Sequence, residues 1–187
     1  MRVGFLAPEG TFTWETTMLV AKERGWPADT EFVPYANGDE VIAALDRGEL
    51  DYGMVAGATS LAAEFPRVRE RIGAAANVQI VGECQRVCHY TLMAKPGARL
   101  DGIRTVRSAQ KAFDDCAGWL TANLPAARAE ASASTGAGAA IVAAASDLTL
   151  AAIAPPAAAV RHGLEPLAEN IEDDPQNWTR WLVLGRR

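Results

Sequence analysis

Strand-like and helix-like stretches alternate along almost all of this 187-residue chain. That alternation restricts the fold more than any other feature. Repeated strand–helix units generate parallel strands joined by helical crossovers, with helices on both faces of a sheet. Residues 2–7 read as the first strand. A helix follows, with an apolar stripe of Trp14, Met18, Leu19 and Ala21, and Gly25-Trp26-Pro27 stops it. Residues 31–34 form a short strand. Asn37-x-x-Glu40 then opens a helix with Val41, Ile42 and Leu45 inward, closed by Gly48. Residues 51–56 are the next strand. The β-rich run 78–94 is interrupted at Gln85-Arg86, where a crossing into a second lobe is expected.

Beyond it, strand 103–106 leads to a helix with Ala112, Phe113, Cys116, Trp119 and Leu120 on one face. Strand 128–131 precedes an Ala-rich, close-packed helix from Thr135 to Ser146, and strand 150–154 precedes a helix that runs from Pro155-Pro156 to His162. Segments 164–167 and 180–184 are expected to return the chain to the first lobe. The expected organisation is an α/β fold of two lobes, residues 1–80 plus 164–187 and residues 81–163, with parallel or mixed sheets and a ligand-binding cleft between them.

Composition narrows the function classes. Apolar content of 49% and charged content of 22% are those of an ordinary globular protein. A net charge of −5 argues against nucleic acid or an anionic membrane as partner. An anionic small molecule would have to be caught by local dipoles and a few Arg or Lys. The N-terminal apolar run stops at Pro8-Glu9, too short for a signal peptide or membrane span. Three cysteines cannot all pair within one chain, which fits a cytoplasmic location. Cys84-x-x-x-Cys88-His89 has neither zinc-knuckle nor haem-attachment spacing and lies in a strand-like run, so no metal site is read there.

The strand-to-helix junctions carry the candidate chemistry. They are Glu9-Gly10-Thr11 after the first strand, Thr59-Ser60 after the third, Ser108-Ala109-Gln110-Lys111, and Ser134-Thr135-Gly136-Ala137-Gly138. Helix N-termini present unpaired N–H groups and partial positive charge, and a nearby hydroxyl adds a donor, which makes a cradle for carboxylate or phosphate. Gly10, Gly136 and Gly138 would allow close approach of a ligand. The same hydroxyls are also the best N-caps, so a purely structural reading stays open. Neither a Walker loop nor GxGxxG follows a strand, and His89 and His162 complete no nucleophilic triad. His162, in Arg-His-Gly, reads as a helix C-terminal residue. At the C-terminus an acidic, Pro-broken run, Glu169 to Asp174, leads into Asn177-Trp178-Thr179-Arg180-Trp181 and an apolar strand. Two Trp around a polar Thr-Arg pair either position a ligand or fill core.

These stretches resemble the catalytic domain of prephenate dehydratase over nearly the whole chain. The resemblance rests on Ala7-Pro8-Glu9-Gly10-Thr11-Phe12-Thr13, on Ala43 to Asp46 with the exit Arg47-Gly48-Glu49-Leu50-Asp51-Tyr52-Gly53, and on Gly82-Glu83. It continues through Leu92-Met93-Ala94-Lys95-Pro96-Gly97, Cys116 to Leu120, Ser134-Thr135 and Leu164 to Gly185. Asn-x-Thr-Arg-aromatic is its most specific motif. The resemblance implies a fold similar to type II periplasmic binding proteins, a site between the lobes, no cofactor, and association as homodimers. It implies Thr179 as the group assisting the departing hydroxyl of prephenate, with substrate contacts from the junction residues, Asn177 and Arg180. Arg180 would either hold a carboxylate or brace the acidic loop, and Trp181, in place of the family's Phe, would narrow the pocket or fill core. Family members often continue into an ACT domain that senses phenylalanine. This chain ends soon after the motif, so feedback by that route is not expected.

Three departures stand out. The family's Glu-Asn-Ser is Ala58-Thr59-Ser60, its Ser-His-Pro-Gln is Ser108-Ala109-Gln110-Lys111, and its His-His pair is His89-Tyr90. They leave three readings open: a prephenate dehydratase; a prephenate decarboxylase or a dehydratase of a prephenate-like acid; and a silent small-acid binding or sensor protein.

Overall fold

A computed structural model describes residues 1–61 and 64–187. The chain forms β1 (Arg2–Leu6), α1 (Phe12–Glu23), β2 (Glu31–Tyr35), α2 (Gly38–Asp46), β3 (Tyr52–Thr59), α3 (Pro66–Ala74) and β4 (Val78–Val87). It continues through β5 (Thr91–Ala94), β6 (Thr105–Ser108), α4 (Gln110–Asp115), α5 (Ala117–Asn123), β7 (Arg128–Ala131), α6 (Thr135–Ala144), β8 (Leu150–Ala154), α7 (Pro156–His162), β9 (Glu165–Glu169) and β10 (Trp178–Arg186). These elements divide into two compact units. Unit 1 holds 1–8, 13–87 and 178–187; unit 2 holds 9–12 and 88–177.

Each unit has a five-stranded mixed sheet, ordered β2-β1-β3-β10-β4 in unit 1 and β7-β6-β8-β5-β9 in unit 2. In unit 1, β1 runs parallel to β2 and β3, while β10 lies antiparallel between β3 and β4. In unit 2, β6 is parallel to β7 and β8, and β5 is antiparallel to β8 and β9. The α/β class and the two-unit, mixed-sheet organisation agree with the sequence reading. Among the described residues, no helix is long and apolar enough to cross a membrane.

The unit boundaries differ from the sequence reading. Residues 81–87 belong to unit 1 because β4 pairs with β10 along its whole length, Val87 opposite Trp178 and Val78 opposite Arg186. Gln85-Arg86 therefore lies within β4, near its end, and the break falls at residues 88–90. Residues 164–177 belong to unit 2 because β9 pairs with β5. The strand pattern was legible there, but its partner was not.

Helix faces hold two further corrections. The buried residues of α1 are Thr13, Thr16, Thr17 and Val20, not the Trp14–Met18–Leu19–Ala21 stripe. Thr17 Oγ1 donates to the Thr13 carbonyl at 2.6 Å, so this buried hydroxyl is satisfied within the helix. The single helix expected over 112–120 is two, α4 and α5, divided at Cys116 (φ −119°, ψ 16°). The Asp173 carboxylate causes the restart, because it accepts from the N–H groups of Gly118 (2.7 Å) and Trp119 (3.0 Å) at the start of α5. Helix α3, absent from the sequence reading, starts on Pro66 at its first turn. The capping box forms as read: Glu40 N–H donates to Asn37 Oδ1 at 3.0 Å, and Glu40 Oε2 accepts from Ala36 N–H at 3.3 Å.

The Ala-rich tract packs closely, as expected. A Cβ on Gly138 would lie 2.8 Å from the Arg107 carbonyl oxygen, so α6 approaches β6 more tightly than any larger residue would allow. Gly138 thus serves helix–strand packing, a correction to its reading as a place for ligand approach.

Candidate functional site

The Thr-Arg-aromatic motif begins the central strand β10 of unit 1. Successive side chains alternate across a strand, so Thr179 and Trp181 share one face and Arg180 takes the other. Trp181, 2% exposed, donates its indole N–H to Thr13 Oγ1 at 3.1 Å. The Thr179 face is therefore the one covered by α1. Directly opposite Thr179 stand Thr59 on β3 and Arg86 on β4. Opposed residues share a face, which makes Thr59–Thr179–Arg86 a polar row across three adjacent strands. Arg86 reaches the start of α1, with Nη1 3.3 Å from both Glu15 Oε2 and Thr16 Oγ1.

Gly57 is the extra residue of a bulge in β3, where the pairing steps from Arg180–Ala58 to Trp181–Ala56. A Cβ there would sit 2.7 Å from Leu182 Cγ. The bulge carries β3 on to Thr59, so no helix begins at Thr59-Ser60. Ser60 instead donates its N–H to the Trp178 carbonyl at 2.9 Å. The helix-terminus reading of this junction is corrected accordingly: Gly57–Thr59 are strand.

On the other face, the Arg180 guanidinium faces Glu64 (3.5 Å) and Glu83 (3.7 Å). It braces carboxylates, but not those of the 169–174 loop that the sequence suggested. Ala58, opposite Arg180 in this strand pair, is fully buried.

Unit 2 gathers a second polar cluster around Asp115. This carboxylate accepts from Tyr90 Oη (3.0 Å), Asn177 Nδ2 (3.3 Å) and Lys111 Nζ (2.8 Å). Its side chain is 11% exposed. Burial, then the Asp115 charge and hydrogen bond, push the Tyr90 phenol far above its usual pKa and keep it a donor. The Tyr90 ring meets Phe12 edge to face at 5.0 Å. Glu172, also buried, accepts from Tyr90 N–H (2.8 Å) and pairs with His89 Nδ1 (2.7 Å). The acidic run before the motif is thus internal framework: Glu172 fixes residues 89–90, Asp173 caps α5, and Asn177 is tied to Asp115.

The remaining candidates divide by what occupies them. Ser108 is fully buried and donates to the Ile153 carbonyl at 2.6 Å, and Ser134 accepts from Ala137 N–H at 3.0 Å as the N-cap of α6. Ser134 thus follows the N-cap reading, whereas Ser108 caps nothing, since the N-cap of α4 is Ala109 without a side-chain cap bond. Gln110 Nε2 donates to Asp114 at 2.9 Å on the surface. Thr135 and Gly136 are buried in the first turn of α6, and Thr11 is 8% exposed. Gly10 has φ +81°, a left-handed conformation suited to glycine, and lies against Ala158 and His162 of α7. Glu9 pairs with Arg161.

Arg86, Glu15 and Asp115 were missed in the sequence. Only the Lys111–Asp115 spacing of four gave a signal.

His162 is the last residue of α7, with Gly163 (φ 64°) closing the helix. Its Nε2 is buried without a hydrogen-bond partner among the described residues. Burial, then the neighbouring Arg161 charge, lowers its pKa against an opposing pull from Glu9. The unfolded histidine titrates near 6.5. Below that pH the unfolded chain binds more protons, so this contribution to stability is complete above it and is lost as pH falls toward the lower folded value. Denaturation midpoints followed from about pH 8 to about pH 5 should show this step, and His162→Gln should remove it. A step of equal size in the variant would assign it to another group.

The prephenate dehydratase family profile matches residues 3–187. The bifunctional chorismate mutase/prephenate dehydratase of Neisseria gonorrhoeae is 33% identical over 185 residues, covering 99% of this chain and 49% of that protein. The prephenate dehydratase of Mycobacteroides abscessus is 29% identical over 188 residues, covering 99% of this chain and 60% of that protein. The crystal structure of prephenate dehydratase from Arthrobacter aurescens in complex with L-Phe superposes with a TM-score of 0.85 at 27% identity, over 100% of this chain and 60% of that one. The chain spans about half to three fifths of the length of these curated relatives.

Proposed function

Because the chain belongs to the prephenate dehydratase family, we propose that it converts prephenate to phenylpyruvate, CO2 and water without a cofactor. The carboxylate carbon leaves as CO2, its bonding electrons enter the ring, and the ring C–O bond breaks with its pair on oxygen. Aromatisation drives the step, so the protein has to orient the substrate and stabilise the departing oxygen. Thr179 is the proposed donor to that oxygen. A Thr hydroxyl is a weak acid, and it acts here as a placed hydrogen bond while the proton comes from solvent.

The observation that supports this reading most is the position of Thr179 at the start of β10, in register with Thr59 and Arg86. Gly10, Thr11, Thr59, Ser60, Thr135 and Gly136 remain proposed substrate contacts. Glu9, Ser108, Gln110, Lys111, Ser134, Asn177 and Arg180 each bond another group of the protein, which supports framework roles for them. A cation at position 111, outside the family pattern, would suit a sensor. Its pairing with Asp115 at 2.8 Å withdraws that support.

We assign the protein to the cytoplasm on its three free cysteines, and a homodimer by family resemblance. The test is incubation of the purified protein with prephenate. An aromatic keto acid supports the dehydratase; a non-aromatic keto acid indicates decarboxylation alone; tight binding without turnover indicates a sensor.

A further inference from the structure

We propose that Arg86 is a second catalytic residue of unit 1, stabilising negative charge on the ring oxygen as it departs beside Thr179. The inference rests on the dehydratase reading and gives a chemical role to a residue that reading used only for its position. Arg86 stands directly opposite Thr179 in the β4–β10 register. Opposed residues on antiparallel strands have Cβ atoms about 4.5–5.5 Å apart and project together. An oxygen that accepts from Thr179 therefore lies within reach of the long Arg86 side chain.

Prephenate explains which part of the substrate this cation meets. Its ring carboxylate and its hydroxyl sit on opposite ring carbons, so a cation beside the hydroxyl donor faces the leaving oxygen.

The placement of Arg86 is unfavourable for a purely structural cation. Its Nη1 rests against Glu15 and Thr16, near the N-terminus of α1. Helix N-termini carry partial positive charge, so a guanidinium there is opposed by the dipole and offset by Glu15. The Glu15 and Arg86 side chains are 18% and 32% exposed. Removing the Arg86 charge therefore also leaves the Glu15 carboxylate without this partner, and the fold must be checked in each variant. When negative charge develops on the leaving oxygen, the dipole and guanidinium act on it in the same sense. Arg86 stays protonated throughout, so the atoms and electrons of the step are unchanged.

The test compares Arg86→Gln and Arg86→Lys with wild type for turnover of prephenate, with thermal unfolding as the fold check. Arg86→Gln should lower kcat about tenfold or more with KM within about twofold, because the lost interaction is made in the transition state. Arg86→Lys, which keeps the charge, should recover most of kcat. Arg86→Met serves as the second charge-removing variant where Gln disturbs folding. The proposal is overturned by a wild-type kcat in the charge-removing variant, by a loss confined to KM, or by Lys performing no better than Gln. An active wild type with an unaffected Arg86→Gln removes Arg86 alone. An inactive wild type removes the dehydratase reading, and this inference with it.

Discussion

Thr179→Ala is expected to lower kcat on prephenate by about 100-fold to 1000-fold, the usual effect of losing one preorganised donor to a developing oxyanion. KM should change little, because the ground-state hydroxyl needs that hydrogen bond less than the departing oxygen does. Thr179 is partly buried in a strand paired on both sides, opposite Thr59 and Arg86, so removing its hydroxyl leaves the β3–β10–β4 ladder intact. Unfolding midpoints should therefore stay within about 1 kcal/mol of wild type. Thr179→Ser keeps the donor and should retain much of the rate, losing some to the freer side chain. An Ala variant that turns over at the wild-type rate would remove Thr179 from the chemistry.

The second large effect falls on stability. Asp115→Ala removes the acceptor for the Tyr90 hydroxyl, the Asn177 amide and the Lys111 ammonium together. Tyr90 and Asn177 are 4% and 6% exposed, so water replaces the lost acceptor poorly. Denaturant unfolding should show a loss of about 2–4 kcal/mol, the cost of leaving buried donors unpaired. Lys111→Met deletes only the half-exposed arm of the cluster and should cost under about 1 kcal/mol. Equal losses in the two variants would mean that the ion pair, rather than the buried donors, is what Asp115 holds together. The consequence reaches the motif, because Asn177 lies two residues before Thr179 in the chain.

Local signals in the sequence translated well where short-range chemistry decides the outcome. Strands 128–131 and 150–154, the Asn37–Glu40 capping box and the Gly163 helix stop all form as their residues dictate. What stayed illegible was pairing at long range. Segment 164–167 reads as strand and β9 forms over Glu165–Glu169, yet only the β5–β9 register assigns it to unit 2. Gln85-Arg86 looks like an interruption because two polar residues break an apolar run. In the sheet each has a neighbour on β10, Arg180 and Thr179 respectively, and the alternation of faces accommodates both.

Candidate site residues divided on the same principle. Ser108 and Ser134 carry the residue type that suits both anion binding and capping, and neither sequence pattern distinguishes the two. Only the folded chain shows Ser108 bonded to the Ile153 carbonyl and Ser134 to the Ala137 N–H. Arg180 was an open choice because the sequence could not show which face of β10 it takes. Alternation puts it opposite Thr179, against Glu64 and Glu83. Asp115 gathers donors 25 and 62 residues away, and only folding brings them together.

The most direct measurement quantifies two products and the substrate on one sample: CO2, phenylpyruvate and remaining prephenate after incubation with the purified protein. The account predicts one CO2 and one phenylpyruvate for each prephenate consumed, at a rate that Thr179→Ala suppresses. Release of CO2 with the ring hydroxyl retained, or no consumption of prephenate at all, would contradict it.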